Sequence, residues 1–389
     1  MRTLLNLTLC FFLAFNSSSL LAAKDKKKKP KPPTEYEKGL TAYKSDDYAT
    51  ALMLWFPLAE KGDKEAQFML GNMYLSQKGE RQDVKKAALW LSRAAKQNHT
   101  KAESILGRLY LKGTGVKRNF KTAAKWLLKA ARAKDVDAQY ILAKLYINGD
   151  GVPRRASKGA YWYHKAAKQG HARAQLELSQ MYLNGEGIKQ NVKKALKLLN
   201  KLAKNDNTDA QMCLADTYAK GKGKHHPPDI KKAFNWYNKV AAKGNARAQF
   251  EIGEAYKKGA GTEKNLNAAF KNFKKSAEQG YLDAMYELGK MYVNGYGVKR
   301  NYQKGVEQFI KAAKLGHGQA QMDLGVAYFT GKGIAPDSIT AYAWFYVAAS
   351  QGIAGAQKNK AALYQKLLPD DKTIAIKRGF EYIKKYGHH

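Results

Sequence analysis

Residues 102–137 read AESILGRLYLKGTGVKRNFKTAAKWLLKAARAKDVD, and residues 284–319 read AMYELGKMYVNGYGVKRNYQKGVEQFIKAAKLGHGQ. The same residue types stand at the same offsets in both. The opening alanine returns as Ala66, Ala102, Ala138, Ala174, Ala210, Ala248, Ala284, Ala320 and Ala356, every 36 residues apart from one step of 38 between Ala210 and Ala248. The long step holds an insert around His225-His226-Pro227-Pro228. Four residues after each of the first eight alanines stands an aliphatic residue, such as Leu106 or Ile252; one further on stands Gly, Ala or Ser; three beyond that stands Tyr, from Tyr74 to Tyr328. Offsets of 0, 4, 5 and 8 fall on one face of a helix, so each unit opens with a helix that buries this face.

A Gly-x-Gly follows in seven of the eight units, as in Gly113/Gly115 and Gly295/Gly297, while the first unit has only Gly79. Glycine there admits left-handed backbone and ends the helix. A capping residue comes next: Asp83, Asn119, Asn191, Asp229, Asn265, Asn301 or Asp337. Each can accept the free N–H groups of a second helix. The third unit has Arg155 at that place, so Ser157 is its expected cap. The second helix carries an apolar stripe, and Trp90, Trp126, Trp162, Trp236 and Trp344 share one position in it; Trp55 stands one residue off that register. Each unit is therefore a helix–turn–helix that cannot bury its apolar face alone, and stacking buries it.

This pattern, over roughly residues 35–368, resembles the Sel1-like repeat, a relative of the tetratricopeptide repeat. The resemblance implies an all-α, right-handed solenoid that holds protein partners. It divides the chain into a shortened helical unit over 35–65, eight repeats over 66–355 and capping helices over 356–389, with Asp370–Tyr386 as the expected last helix. The resemblance extends to exported bacterial members, which act at the envelope or toward a host cell.

Residues 1–23 read as a signal peptide: Arg2, an apolar run from Leu4 to Phe15, then small residues ending at Ala22-Ala23. The run is too short for a mature membrane-spanning helix, and its other reading is an uncleaved anchor. Residues 24–34, led by Lys24-Asp25-Lys26-Lys27-Lys28-Lys29, read as a basic disordered linker. A periplasmic or secreted location follows as an expectation, with no transmembrane helix in the mature chain.

The chain has 69 Lys and Arg against 32 Asp and Glu, a net +37, and is 44% hydrophobic, enough for a core. Its two cysteines are Cys10, in the leader, and Cys213. A disulfide framework and a Cys-based zinc site are excluded. No catalytic constellation, metal site or cofactor motif is read. Gly-x-Gly here follows no strand, so it is no nucleotide loop. His99, His171 and His317 share one turn position without a common focus, and the pairs His225-His226 and His388-His389 match no defined metal spacing. Cys213, between apolar neighbours, reads as a buried thiol.

In arrays of this kind the first helices line the concave surface, so partner information belongs at their drifting offsets. Offsets 3 and 6 give an apolar and basic N-terminal half, with Arg108 and Lys144. The C-terminal half is acidic, with Glu177, Asp216, Glu251, Glu254, Glu287 and Asp323. This is either a track for a basic or amine-bearing partner segment or a set of acids balancing nearby lysines. The second helices carry the opposite sign. Lys121, Lys125, Lys129, Lys193, Lys197 and Lys201 belong to a basic ridge, with only Glu307 acidic at its positions. It fits an anionic surface (lipid, glycan or polymer) or serves solubility. Nucleic acid is disfavoured by the leader and by a ridge read as free of interleaved aromatics. In the eighth unit the ridge positions become Ile339, Thr340, Ala343 and Val347, an apolar face that the C-terminal segment is expected to cover, its other reading being a dimer or partner patch.

Overall fold

The computed structural model describes residues 32–76, 82–222 and 225–387. The leader, most of the linker, Gly79 and His388-His389 lie outside them. The described residues form twenty helices and no strands. The first ten are α1 Glu35–Lys44, α2 Tyr48–Glu60, α3 Lys64–Ser76, α4 Val84–Lys96, α5 Thr100–Lys112, α6 Phe120–Arg132, α7 Val136–Asn148, α8 Ala156–Lys168, α9 Ala172–Asn184 and α10 Val192–Lys204. Then come α11 Thr208–Lys220, α12 Ile230–Ala242, α13 Ala246–Lys258, α14 Leu266–Glu278, α15 Leu282–Asn294, α16 Tyr302–Lys314, α17 Gly318–Thr330, α18 Ser338–Ser350, α19 Ala356–Lys366 and α20 Pro369–Tyr386. Every helix from α3 to α18 has 13 residues. The fold is an all-α solenoid.

The chain divides into two compact units, Met1–Arg93 and Ala94–His389. In the first, Thr34 closes α1 with a reciprocal capping box to Glu37. Trp55 is fully buried and donates from Nε1 to the Tyr36 carbonyl at 3.1 Å. Its one-residue offset from the other tryptophans thus reflects a different task, filling the opening hairpin.

In the second unit successive hairpins stack, first helix on second and second on the next first. The defining alanines and the aliphatic residues four beyond them are essentially inaccessible. The tyrosine series is buried or half-buried and wedges between hairpins: Tyr256 meets Phe234 of the preceding repeat edge-on at 5.5 Å, and Tyr292 meets Phe270 at 5.2 Å. The small residue at offset 5 admits a large one across the hairpin. A Cβ on Gly107 would lie 2.6 Å from Leu127 Cγ.

The Gly-x-Gly turn has two separate tasks. Its first glycine ends the helix in left-handed backbone, as Gly295 does at φ +71. Its second presses on the start of the preceding second helix. A Cβ on Gly297 would stand 2.1 Å from the Leu266 carbonyl oxygen, and Gly187 is similarly placed against Ala156. The residue before the second helix then donates its backbone N–H to the repeat tyrosine carbonyl, from Asn119 to Tyr110 at 2.9 Å and from Asn301 to Tyr292 at 2.8 Å.

Side-chain caps form at Asp83, Asn119, Asn191, Asp229, Asn265, Asn301 and Asp337. The third repeat differs from expectation. Arg155 is the N-cap of α8 without a side-chain bond, and Ser157 lies inside the helix. Arg155 N–H still donates to the Tyr146 carbonyl at 2.8 Å, so the backbone lock places the helix start without a cap.

At the C-terminal end, α18 is buried nearly all round, including Thr340, Ala343 and Val347. Helix α20 covers it. Trp344 stacks on Tyr386 at 5.2 Å and meets Tyr382 edge-on at 4.8 Å, while Arg378 donates to Thr340 Oγ1 at 2.7 Å. Burying each such apolar side chain stabilises by about 1.5–3 kcal/mol. The unpartnered face of the last repeat thereby acquires its cover from the chain's own tail.

Candidate functional site

The side chains that drift between repeats divide between two faces of the second unit. On the first-helix face, the acids do come together, but basic chains of the same face meet most of them. Asp216 accepts from Arg247 Nη2 at 2.7 Å and from the Tyr237 hydroxyl at 2.6 Å. Arg247 Nε also stands 4.0 Å from Glu251. Lys257 bridges Glu254 and, at 2.7 Å, Glu287 of the next repeat; Lys258 adds to Glu254 at 2.6 Å, and Lys290 to Glu287 at 3.0 Å. Burial would push the Glu254 carboxyl up, but hydrogen bonds from its two lysines hold it below the usual carboxylate range. Burial raises the Glu251 carboxyl, and Arg247 only partly opposes this.

The track is thus a zipper of ion pairs across repeats five to seven more than a line of free carboxylates. Glu177 and Asp323 stand outside it, with no ion pair within 4.0 Å among the described residues. Glu177 is half-buried on α9. Asp323 accepts from the Tyr286 hydroxyl at 3.0 Å, and burial lifts its carboxyl above the usual range. Arg108 on α5 and Lys144 on α7 are exposed on the same face. Cys213 is half-buried, and burial, reinforced by Asp216, pushes its thiol up, away from thiolate chemistry.

Two adjoining hollows end this face. One, of about 300 Å³, has Val306, Phe309 and Ala327 in its walls, Asp323 within it, and Lys290 and Lys332 among its lining. The other, of about 270 Å³, lies among Phe329, Phe345, Ala362, Leu363 and Lys366. Val326, 38% exposed, lines both, and Phe329 is 44% exposed. Sequence reading missed this feature because one wall of the second hollow comes from α19, outside the repeat pattern. The visible signal was Val326, the one apolar residue at offset 6.

The second-helix face is basic, as the spacing predicts. Lys121, Lys125 and Lys129 on α6 and Lys193, Lys197 and Lys201 on α10 are all exposed, with no ion pair within 4.0 Å among the described residues. Aromatics do interleave here, which corrects the sequence reading. Lys129 lies 5.0 Å from the Trp126 ring, Lys165 5.4 Å from Tyr161 and Lys239 4.4 Å from Trp236. The recurrent tryptophan stands one helical turn before the ridge lysine, so the half-buried ring supports the ammonium.

The histidines shared by one turn position have a definite task. His99, His171 and His317 are N-caps of first helices, each accepting through Nδ1 from the N–H three residues on. Nε2 of His171 faces Asp137 at 3.7 Å, and that of His317 faces Asp283 at 3.4 Å. Among the described residues no group of three or more His, Cys, Asp or Glu could hold a metal ion, and no helix is long and apolar enough to cross a membrane.

The model of the Sel1 repeat matches eight consecutive segments: 64–99, 100–135, 136–171, 172–207, 208–245, 246–281, 282–317 and 318–353. No curated protein matches the chain. Among solved structures, a Sel1 repeat protein from Oxalobacter formigenes is similar at 29% identity and TM-score 0.68, over 88% of this chain and 98% of that one. A protective antigen present in uropathogenic Escherichia coli strains is similar at 30% identity and TM-score 0.59, over 91% of this chain and 84% of that one. With eight matched units and the hairpin geometry described above, the chain belongs to the Sel1 repeat family.

Proposed function

We propose that the protein is an exported, non-enzymatic scaffold that holds a partner protein's extended segment on its first-helix face. Sel1 repeats generally serve protein interaction, and this supports the coarse reading. The finer reading rests on one observation: the adjoining hollows of about 300 and 270 Å³ that share Val326. Each accommodates one bulky apolar side chain. Asp323, in the larger hollow, accepts a hydroxyl, amide or amine donor of the same segment. Glu177, Arg108 and Lys144 add polar contacts further along the array. The apolar run Leu4–Phe15 before Ala22-Ala23 supports export, and a similar protein that serves as a protective antigen supports an envelope or host-facing role.

Peptide display against the purified protein tests the site. Selected peptides are expected to carry two bulky apolar residues and to lose most of their affinity for Val326→Lys, whose exposed position leaves the fold intact. Selected peptides that bind this variant as well as the parent refute the site. Fractionation of an expressing cell, with N-terminal sequencing, tests export; a protein retained inside with an intact leader refutes it.

A further inference from the structure

A second surface, independent of the peptide site, lies on the opposite class of helices. We infer that the second-helix face of repeats two to five docks on an anionic lipid bilayer.

Four consecutive second helices, α6, α8, α10 and α12, carry fifteen Lys and Arg and no Asp or Glu. The acids nearest in sequence are caps and turns, such as Asp229, which holds Lys232 at 2.9 Å. The ridge lysine recurs once per repeat as Lys129, Lys165, Lys201 and Lys239, all exposed. Along α6 and α10 two more lysines precede it at four-residue steps, Lys121 and Lys125, and Lys193 and Lys197, about 6 Å apart along the axis. The cations therefore spread in two directions, along the helices and from repeat to repeat. A linear polyanion neutralises a line of charge, whereas a bilayer neutralises an area.

The array is interrupted at Ser157 and Tyr161 on α8 and at Asn235 on α12, and one of these is aromatic. Tyr161, 53% exposed, takes on α8 the position that Lys125 and Lys197 take on their helices. It meets Trp162 edge-on at 5.1 Å, and Lys165 lies 5.4 Å from its ring. A tyrosine amid lysines has the apolar body and polar tip that suit the headgroup layer. The Lys129 and Lys239 ammonium groups rest over the Trp126 and Trp236 rings, at 5.0 and 4.4 Å, which leaves their outer side open to lipid phosphates.

Vesicle cosedimentation with the full chain decides the matter. The probes are phosphatidylcholine vesicles with and without phosphatidylglycerol. Binding is expected only with the anionic lipid and is expected to fall with salt. Each lysine removed costs roughly fivefold in affinity. Lys193→Glu/Lys197→Glu/Lys201→Glu then loses at least about 100-fold, and the milder Lys→Gln triple variant loses less while unfolding at the parent's temperature. Tyr161→Ala, which leaves the charge unchanged, lowers vesicle affinity severalfold without changing retention on heparin. Equal binding to neutral vesicles overturns the inference. So do an unaffected triple variant, or heparin and single-stranded DNA binding that outcompetes the vesicles while Tyr161→Ala has no effect. Val326→Lys keeps full vesicle binding, so failure here and failure of the peptide site are separately visible.

Discussion

Replacing Gly297 by Ala tests how the repeats are joined. Gly297 sits at φ +65, and an added Cβ would lie 2.1 Å from the Leu266 carbonyl oxygen and 2.4 Å from its carbon. Real Cβ atoms essentially never come within 3.0 Å of such neighbours, so one backbone must yield by roughly 1 Å. Gly280, one turn upstream in the fold, sits at φ +88 with nothing within 4 Å of an added Cβ. Gly280→Ala therefore reports the left-handed penalty alone, about 1–2 kcal/mol. Gly297→Ala adds an overpacking cost of about 1–3 kcal/mol, at the upper end because the obstacle is backbone. Urea denaturation followed by circular dichroism gives the two losses. Arrays of repeats can unfold in parts, so hydrogen exchange completes the assay. Gly297→Ala should speed exchange at the start of α14 and in the α15–α16 turn, and Gly280→Ala should not. Equal losses in the two variants, with no local exchange difference, would refute the seam.

Three further outcomes follow from single side chains. Lys134 holds φ +68 at a turn position where most repeats place glycine, such as Gly170 and Gly244, so Lys134→Gly should stabilise by about 1 kcal/mol in a denaturant titration. Burial lowers the His317 pKa from the ordinary 6.5, with Asp283 opposing, so the neutral ring that caps α17 is the folded form. The unfolded chain takes up the proton first as pH falls, so this contribution is complete above the unfolded pKa and is lost as pH falls through the folded one; His317→Asn, a cap that does not titrate, should make the melting temperature less dependent on pH across that window. Arg378→Ala removes the bond to Thr340 and the 3.4 Å contact with Asp337, and should loosen α20 and shift Trp344 fluorescence to the red.

The repeat was legible because its signals are local and redundant: alanine, aliphatic, small residue and tyrosine within nine positions, repeated eight times. The C-terminal cover was legible from Ile339, Thr340, Ala343 and Val347, an apolar face at positions elsewhere basic. What escaped depends on partners about thirty residues away. Asp216 finds Arg247, Lys257 finds Glu287 and Gly297 finds Leu266, and which pairs meet depends on side-chain reach across a seam that spacing alone does not specify. One recurrent signal carried no meaning until the geometry supplied it. Gln139, Gln175, Gln211 and Gln321 are buried, each donating to a carbonyl eight residues upstream and so satisfying the end of the preceding helix. The acidic track was legible as a charge pattern, and a set of acids balanced by nearby lysines was one of its two readings, but which bases do so (Arg247, Lys257, Lys258 and Lys290) was not.

The glycine seam and the tail cover together govern how such a chain can change length in evolution. A Cβ added to Gly187, Gly261, Gly297 or Gly333 would first meet the start of the second helix immediately upstream, so duplicating or deleting one internal module regenerates the same junction on both sides. A copy appended after Ser350 meets α19 and α20 already seated on the terminal aromatics, and must displace Tyr382 and Tyr386 to dock. Homologues with more or fewer modules should therefore differ in the interior of the array and keep the same closing sequence.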